Sequence, residues 1–256
     1  MWRLTQGYLT REPISVAVVG VGGTGSEVTS SLVNLHHALV ALGYGGLDVT
    51  LFDPDTVSEA NIVRQRYHAS DVGRFKCEVL SQRVNMACAF AWKGIPARFA
   101  GAYARRGWDL VISCVDTGKA RKQLHRFAFE DRLAPWKLWI DCGNDATTGQ
   151  VVLGTPRGKK RLLAHSLPCA TELHPQLMHD AGDDTTPSCS AIEALSRQDL
   201  MVNKMVATLA IDLLWRLFKE CEIAEHARYF DLRRTSSSAR AVPPKPKRVK
   251  QPPKAA

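Results

Sequence analysis

Ile14-Ser15-Val16-Ala17-Val18-Val19 runs directly into Gly20-Val21-Gly22-Gly23-Thr24-Gly25, and that junction decides the fold. The first six residues are mostly β-branched and apolar and end on glycine, which is how a buried strand enters a tight turn. Residues 26–42 then place Val28, Leu32, Leu35, Leu39 and Leu42 at intervals of three and four, the apolar face of a helix with Ser26 as its candidate cap. Strand, G-x-G-x-x-G turn and helix in that order read as a nucleotide site, with a plain strand-turn-helix as the alternative. Glycine permits the turn and lets backbone approach a phosphate, and the amides at the helix N-terminus face the anion. Gly20, Gly22, Gly23 and Gly25 are therefore the expected phosphate-side positions. Residues 43–46 stop the helix, and residues 47–52 form a second apolar strand that reaches Asp53, where a carboxylate can accept hydrogen bonds from ribose hydroxyls. The turn and its acid alone do not separate ATP from a nicotinamide dinucleotide.

Working outward, residues 76–90 have helical spacing and residues 109–115 read as another buried strand, with Asp116 at its carboxyl end. A helix is expected over residues 118–133, and strands over residues 138–142 and 149–153. This alternation predicts an α/β fold: a Rossmann-like, mainly parallel sheet with helices on both faces. Residues 165–186 have few periodic apolar positions and several Pro, Asp and Gly, which reads as an irregular crossover loop. Residues 199–218 carry Leu200, Val202, Val206, Leu209, Leu213 and Leu217 on one helical face. Beyond Thr235, serine, proline and lysine cannot offset the entropy of ordering by burial. The expected division is one nucleotide-binding domain over residues 1–234 and a disordered basic tail over residues 235–256.

The chain has 256 residues, 45% hydrophobic and 23% charged, enough apolar content for a single soluble globular core. No apolar run approaches the roughly 20 residues that span a bilayer, and residues 1–10 lack the layout of a signal peptide. A cytoplasmic protein with no membrane partner is expected. Seven widely spaced cysteines fit reduced thiols rather than a secreted disulfide framework. The net charge is +9, but Arg240, Lys245, Lys247, Arg248, Lys250 and Lys254 place six of those charges beyond Thr235 with no acidic residue among them. The body is nearly neutral. The tail is a candidate nucleic-acid contact, although a solubilising polybasic extension explains it more simply.

Asp53-Pro54-Asp55-Thr56-Val57-Ser58-Glu59-Ala60-Asn61-Ile62-Val63-Arg64-Gln65, followed by Gly73-Arg74-Phe75-Lys76, narrows the reading. It resembles the D-x-D-x-V-x-x-x-N-x-x-R-Q and G-x-x-K signatures of the ThiF, MoeB and ubiquitin-activating superfamily. The resemblance implies that Asp53 holds the ribose, Asn61 and Arg64 contact the triphosphate, Lys76 neutralises its charge, and Asp116, within Ser113-Cys114-Val115-Asp116, positions Mg²⁺. Gln65 would support Arg64. Asp55 is as well explained by stabilising its own turn as by touching the nucleotide. The chemistry agrees with the assignment: a carboxylate attacking an α-phosphate brings two anions together and needs fixed cations and a metal. ATP and Mg²⁺ are the implied cofactors. The implied reaction is adenylation of the C-terminal carboxylate of a small ubiquitin-like protein.

Thr186-Pro187-Ser188-Cys189-Ser190 occupies the position of the reactive cysteine in ThiF-like proteins, which makes Cys189 the candidate thioester nucleophile. A helix N-terminus following it would lower its pKa, although a small packed cysteine is the plainer alternative. Many relatives hold a structural zinc with two C-x-x-C pairs, and neither pair occurs here, so no zinc is expected. The Cys189 segment, the stretch from Glu193 through Gln198 to Asn203, and Leu213-Leu214-Trp215 together look like the ThiF-family protein of the bacterial PRTRC system. That likeness implies a mobile-element setting, and kinship implies a homodimer. Two further readings stay open: a nucleotide-binding scaffold without catalysis, acting with plasmid or DNA-associated partners, and a nicotinamide oxidoreductase, for which no hydride-transfer acid or base stands out near Asp53.

Overall fold

Val16, Ala17 and Val18 have no solvent exposure, because the strand they occupy, β2 (Ile14–Val19), is covered on both faces. In the computed structural model, which describes residues 1–130, 136–156, 166–179 and 198–244, β2 lies between β3 (Leu47–Phe52) and β5 (Trp108–Ser113). Both neighbours run parallel to it, with Val16 opposite Val49 on one side and Leu110 on the other. β4 (Lys93–Ile95) extends the sheet beyond β3, and β6 (Trp136–Asn144) beyond β5, again in parallel. β7 (Thr148–Gly154), β9 (Glu225–Asp231) and β10 (Ser236–Ala241) continue it antiparallel, in the order β10-β9-β7-β6-β5-β2-β3-β4. A separate ribbon joins β1 (Trp2–Arg3) to β8 (Glu222–Ile223).

The pleat sends alternate residues of β2 into two cores. Val16 and Val18 pack with Leu32 and Leu35 of α1 (Gly23–Ala41), Leu80 of α2 (Lys76–Cys88) and Leu213 of α5 (Val202–Glu220). Ala17 and Val19 face the opposite side, where Trp108, Trp136 and Trp139 gather against Leu124 of α3 (Gly118–His125). The short α4 (Ala170–Leu173) packs Ala170 against Val152 and Ala227 over the antiparallel strands. The Rossmann-like, mainly parallel sheet with helices on both faces is therefore the architecture of this chain.

Three expectations about element boundaries are corrected. α1 begins at Gly23 with Gly22 as its cap, and Ser26 sits inside the first turn, its hydroxyl donating to the Gly23 carbonyl at 2.9 Å. The helix expected over residues 118–133 is α3 followed by a π-helical turn, Arg126–Glu130, and residues 131–135 lie outside the description. The tail does not begin at residue 235. β10 pairs with β9 from Ser236 opposite Asp231 to Ala241 opposite Glu225, so the folded body continues through that edge strand. Only residues 245–256 of the expected tail lie outside the described residues. Of the crossover, residues 166–179 hold α4 and a 3₁₀ turn, Pro175–Met178. Among the described residues no helix is long and apolar enough to cross a membrane.

Candidate nucleotide site

The chain leaves β2 toward β3 on one side and has β5 on the other, so the carboxyl end of β2 is a topological switch point where an open α/β sheet leaves a crevice. The glycine turn fills that position. Gly20 has φ +86°, and a β-carbon there would lie 2.8 Å from the Cys114 carbonyl oxygen, so both conformation and space demand glycine. Gly25 packs its Cα side onto the Gly20 carbonyl, which seats α1 on the end of the strand. A β-carbon on Gly22, by contrast, would have no neighbour within 4 Å. The turn is thus closed underneath and open at its cap residue, as backbone approached by a phosphate must be.

Two side chains hold Val21 from opposite ends. Its amide donates to Asp53 Oδ2 at 2.6 Å, and its carbonyl accepts the Tyr67 hydroxyl at 2.6 Å. Asp53 Oδ1 also accepts the Asp55 amide at 2.9 Å. Asp53 is only 5% exposed. Burial raises its pKa, against the opposing pull of Lys76 and the two amides. The geometry therefore gives Asp53 a turn-bracing task in addition to the ribose contact expected of it, which would use its remaining lone pairs. Burial likewise pushes the Tyr67 hydroxyl well above its ordinary range, so it stays a neutral donor.

Lys76 opens α2 and is buried, with Nζ 3.3 Å from Asp55 Oδ2, a carboxylate whose side chain is itself largely exposed. Asn61 closes a 3₁₀ turn, Glu59–Asn61, and its Oδ1 accepts the Ser58 amide at 3.0 Å. Its amide nitrogen carries the two donors a phosphate contact would use. Arg64 Nη1 donates to Gln198 Oε1 at 3.1 Å. Gln65 was expected to steady Arg64; the hydrogen bond seen here runs from Arg64 to Gln198. Gln65 Oε1 is buried without a hydrogen-bond partner among the described residues. Asp116 stands exposed in the loop between β5 and α3, followed by Thr117, which caps α3 through the Ala120 amide at 3.3 Å. It makes no ion pair with a described residue. Cys189 lies outside the described residues.

The structure thus joins Gly20–Gly25, Asp53, Asp55 and Lys76 in one connected cluster and ties Arg64 to the turn through Gln198 and Asn203. Asp116 follows β5 at their end of the sheet. Four contributors were not legible as site residues: Tyr67, Gln198, Asn203 and Asn144. The last two meet at the turn, where Thr24 Oγ1 and Asn144 Nδ2 each donate to Asn203 Oδ1 at 2.9 Å. Beneath the same sheet end Asp141 is buried with Arg121, Nε to Oδ2 3.4 Å, and accepts the Ser113 hydroxyl at 2.6 Å. Among the described residues no three His, Cys, Asp or Glu side chains gather as a metal cage. A nucleoside triphosphate fits what is present: an open amide turn, a buried cation, and an orphaned amide oxygen able to accept from a ligand hydroxyl or amine.

Comparison with known proteins gives a consistent picture. Residues 6–252 match the ThiF family. The chain is 31% identical over 124 residues to tRNA threonylcarbamoyladenosine dehydratase of Haemophilus influenzae, covering 46% of this chain and 44% of that protein. It is 27% identical over 179 residues to ubiquitin-like modifier-activating enzyme 5 of Arabidopsis thaliana, covering 60% and 38%. The fold is similar to that of E. coli MccB solved with ATP, with a TM-score of 0.60 at 15% identity over 93% of this chain and 66% of that one. The chain spans less than half the length of these two curated relatives.

Proposed function

We propose, from the premise that this chain belongs to the ThiF family, that it uses ATP to adenylate a carboxylate, and that this carboxylate is the C-terminus of a small ubiquitin-like protein. In this reading the amides of the glycine turn and the N-terminus of α1 receive the phosphates. Asn61, Arg64 and Lys76 supply donors and positive charge to the triphosphate, and Asp53 adds a ribose contact. Magnesium held by Asp116 would offset charge on the phosphoryl oxygens and on departing pyrophosphate. The carboxylate oxygen attacks the α-phosphorus, its bond to the bridging oxygen breaks, and an acyl-adenylate and pyrophosphate result. A second step belongs to the same proposal: the Cys189 thiolate attacks the acyl carbon, a thioester forms and AMP leaves.

One observation carries the reading. Lys76 is kept 7% exposed beside the acid that braces the turn, and its ion-pair partner among the described residues is the solvent-facing carboxylate of Asp55. A buried ammonium is costly unless anions offset it; Asp53 and Asp55 do so in part, and a triphosphate would complete the compensation. The name of the Arabidopsis relative supports a ubiquitin-like partner. The PRTRC setting and a homodimer are further parts of the proposal. The test is ATP–pyrophosphate exchange with a small protein ending in Gly-Gly and with the same protein lacking that tail. Exchange that requires the intact tail is the expected result. Tight Mg-ATP binding with no exchange for any carboxylate would favour the non-catalytic scaffold.

A further inference from the structure

One amide oxygen ties the glycine turn to the arginine assigned to the triphosphate. Gln198 Oε1 accepts both Arg64 Nη1, at 3.1 Å, and Asn203 Nδ2, at 2.8 Å. Asn203 is 3% exposed and is the second residue of α5. Its own oxygen accepts Thr24 Oγ1 from the turn and Asn144 Nδ2 from the end of β6, both at 2.9 Å. The donors and acceptors fix both amide orientations, because turning either one over would set donors against donors. Asn203 also touches the backbone that matters: a β-carbon on Gly23 would lie 2.5 Å from its Nδ2. Gly23 is therefore glycine to admit Asn203, besides any approach of its amide to a phosphate.

We infer that Gln198 is a positioning residue for the nucleotide site, setting Arg64 and, through Asn203, the glycine turn in one register. An arginine side chain left to itself samples many rotamers, and fixing it before the ligand arrives removes that ordering cost from binding. Gln198 suits this task because a neutral amide oxygen orients the guanidinium through one nitrogen without cancelling its charge. A carboxylate in the same place would hold Arg64 more firmly and compete with phosphate for it.

The inference rests on Arg64 binding the triphosphate, and the experiment separates the two. Calorimetry with Mg-ATP on the full chain compares Arg64→Ala, Gln198→Ala, Gln198→Glu and the Arg64→Ala/Gln198→Ala pair, with thermal melting alongside. Gln198→Ala is expected to weaken Mg-ATP about tenfold, the scale of one hydrogen bond to a charged group. In the Arg64→Ala background the same change is expected to do far less, because its effect passes through Arg64. Gln198→Glu is expected to melt no lower than the parent and yet bind Mg-ATP more weakly than Gln198→Ala does. Additive losses, or unchanged affinity in Gln198→Ala while Arg64→Ala is impaired, overturn the positioning role alone. Unchanged affinity in Arg64→Ala overturns the nucleotide reading of Arg64 and this inference with it.

Discussion

Asp53 takes the Val21 amide at 2.6 Å from the carboxyl end of the neighbouring strand, so the acid that follows β3 also fixes an early peptide of the glycine turn. Asp53→Ala strands the Val21 and Asp55 amides, which both donate to it. An unsatisfied buried donor costs about 1–3 kcal/mol, and urea unfolding is expected to show a loss on that scale together with weakened Mg-ATP binding. Full stability with lost binding would instead make Asp53 a ligand contact only.

Tyr67→Phe removes a single donor from the Val21 carbonyl while keeping the ring that packs in the main core. A loss of about 1 kcal/mol is expected, measured by the same unfolding. Wild-type stability would mean that this short hydrogen bond does not hold the turn.

Lys76→Met separates charge from packing. The methionine fills similar space, and the ion-pair partner it abandons among the described residues, Asp55, is already largely exposed. The melting temperature is expected to hold or rise, while pyrophosphate exchange falls about a hundredfold, the scale of removing one donor aimed at developing charge. A melting temperature that falls in step with activity would reduce Lys76 to a structural residue.

Glycine substitutions should divide in the same way. Gly25→Ala drives a methyl group into the Gly20 carbonyl, whereas Gly22→Ala places one in open space. Melting curves are expected to show a much larger loss for Gly25→Ala, and Mg-ATP titration a loss of affinity for Gly22→Ala. Equal melting temperatures would contradict the packing assigned to Gly25.

Stability should also fall in mild acid. His226 is fully buried in β9, with Nδ1 3.0 Å from the Leu153 carbonyl, so Nδ1 carries the proton and Nε2 is left buried without a partner among the described residues. Burial lowers its pKa from the ordinary 6.5; the Leu153 carbonyl opposes this and Arg240 adds to it. Below about pH 6.5 the unfolded chain takes up a proton that the folded one refuses, so stability declines as pH falls through that value. His226→Phe should flatten this part of the profile between pH 7 and 5. Parallel profiles for the two proteins would refute it.

Most of the parallel half of the sheet was legible because its strands are short, mainly apolar runs, as in Ile14–Val19 and Leu47–Phe52, whereas the three-residue β4, Lys93–Ile95, carries no such run and was missed. β9 and β10 were not legible either. Arg228 and His226 break the apolar pattern of β9, and only the fold reveals that Arg228 pairs with Asp212 at 2.6 Å across to α5. β10 is serine-rich and exposed along its whole length, so it carries no burial signal, and its hydrogen bonds to β9 are what define it. The site divides similarly. Glycines, Asp53 and Lys76 stand in local motifs, whereas Gln198 reaches Arg64 across 134 positions of chain. Asn203 reaches Thr24 across 179. Local spacing contains nothing of such contacts.

The most direct test of the account is a structure determined with Mg-ATP bound. It should place an Arg64 guanidinium nitrogen and Lys76 Nζ within about 3.2 Å of phosphate oxygens, with the phosphates over the open side of Gly22. Phosphates bound elsewhere, with Arg64 and Lys76 both turned away from them, would contradict it.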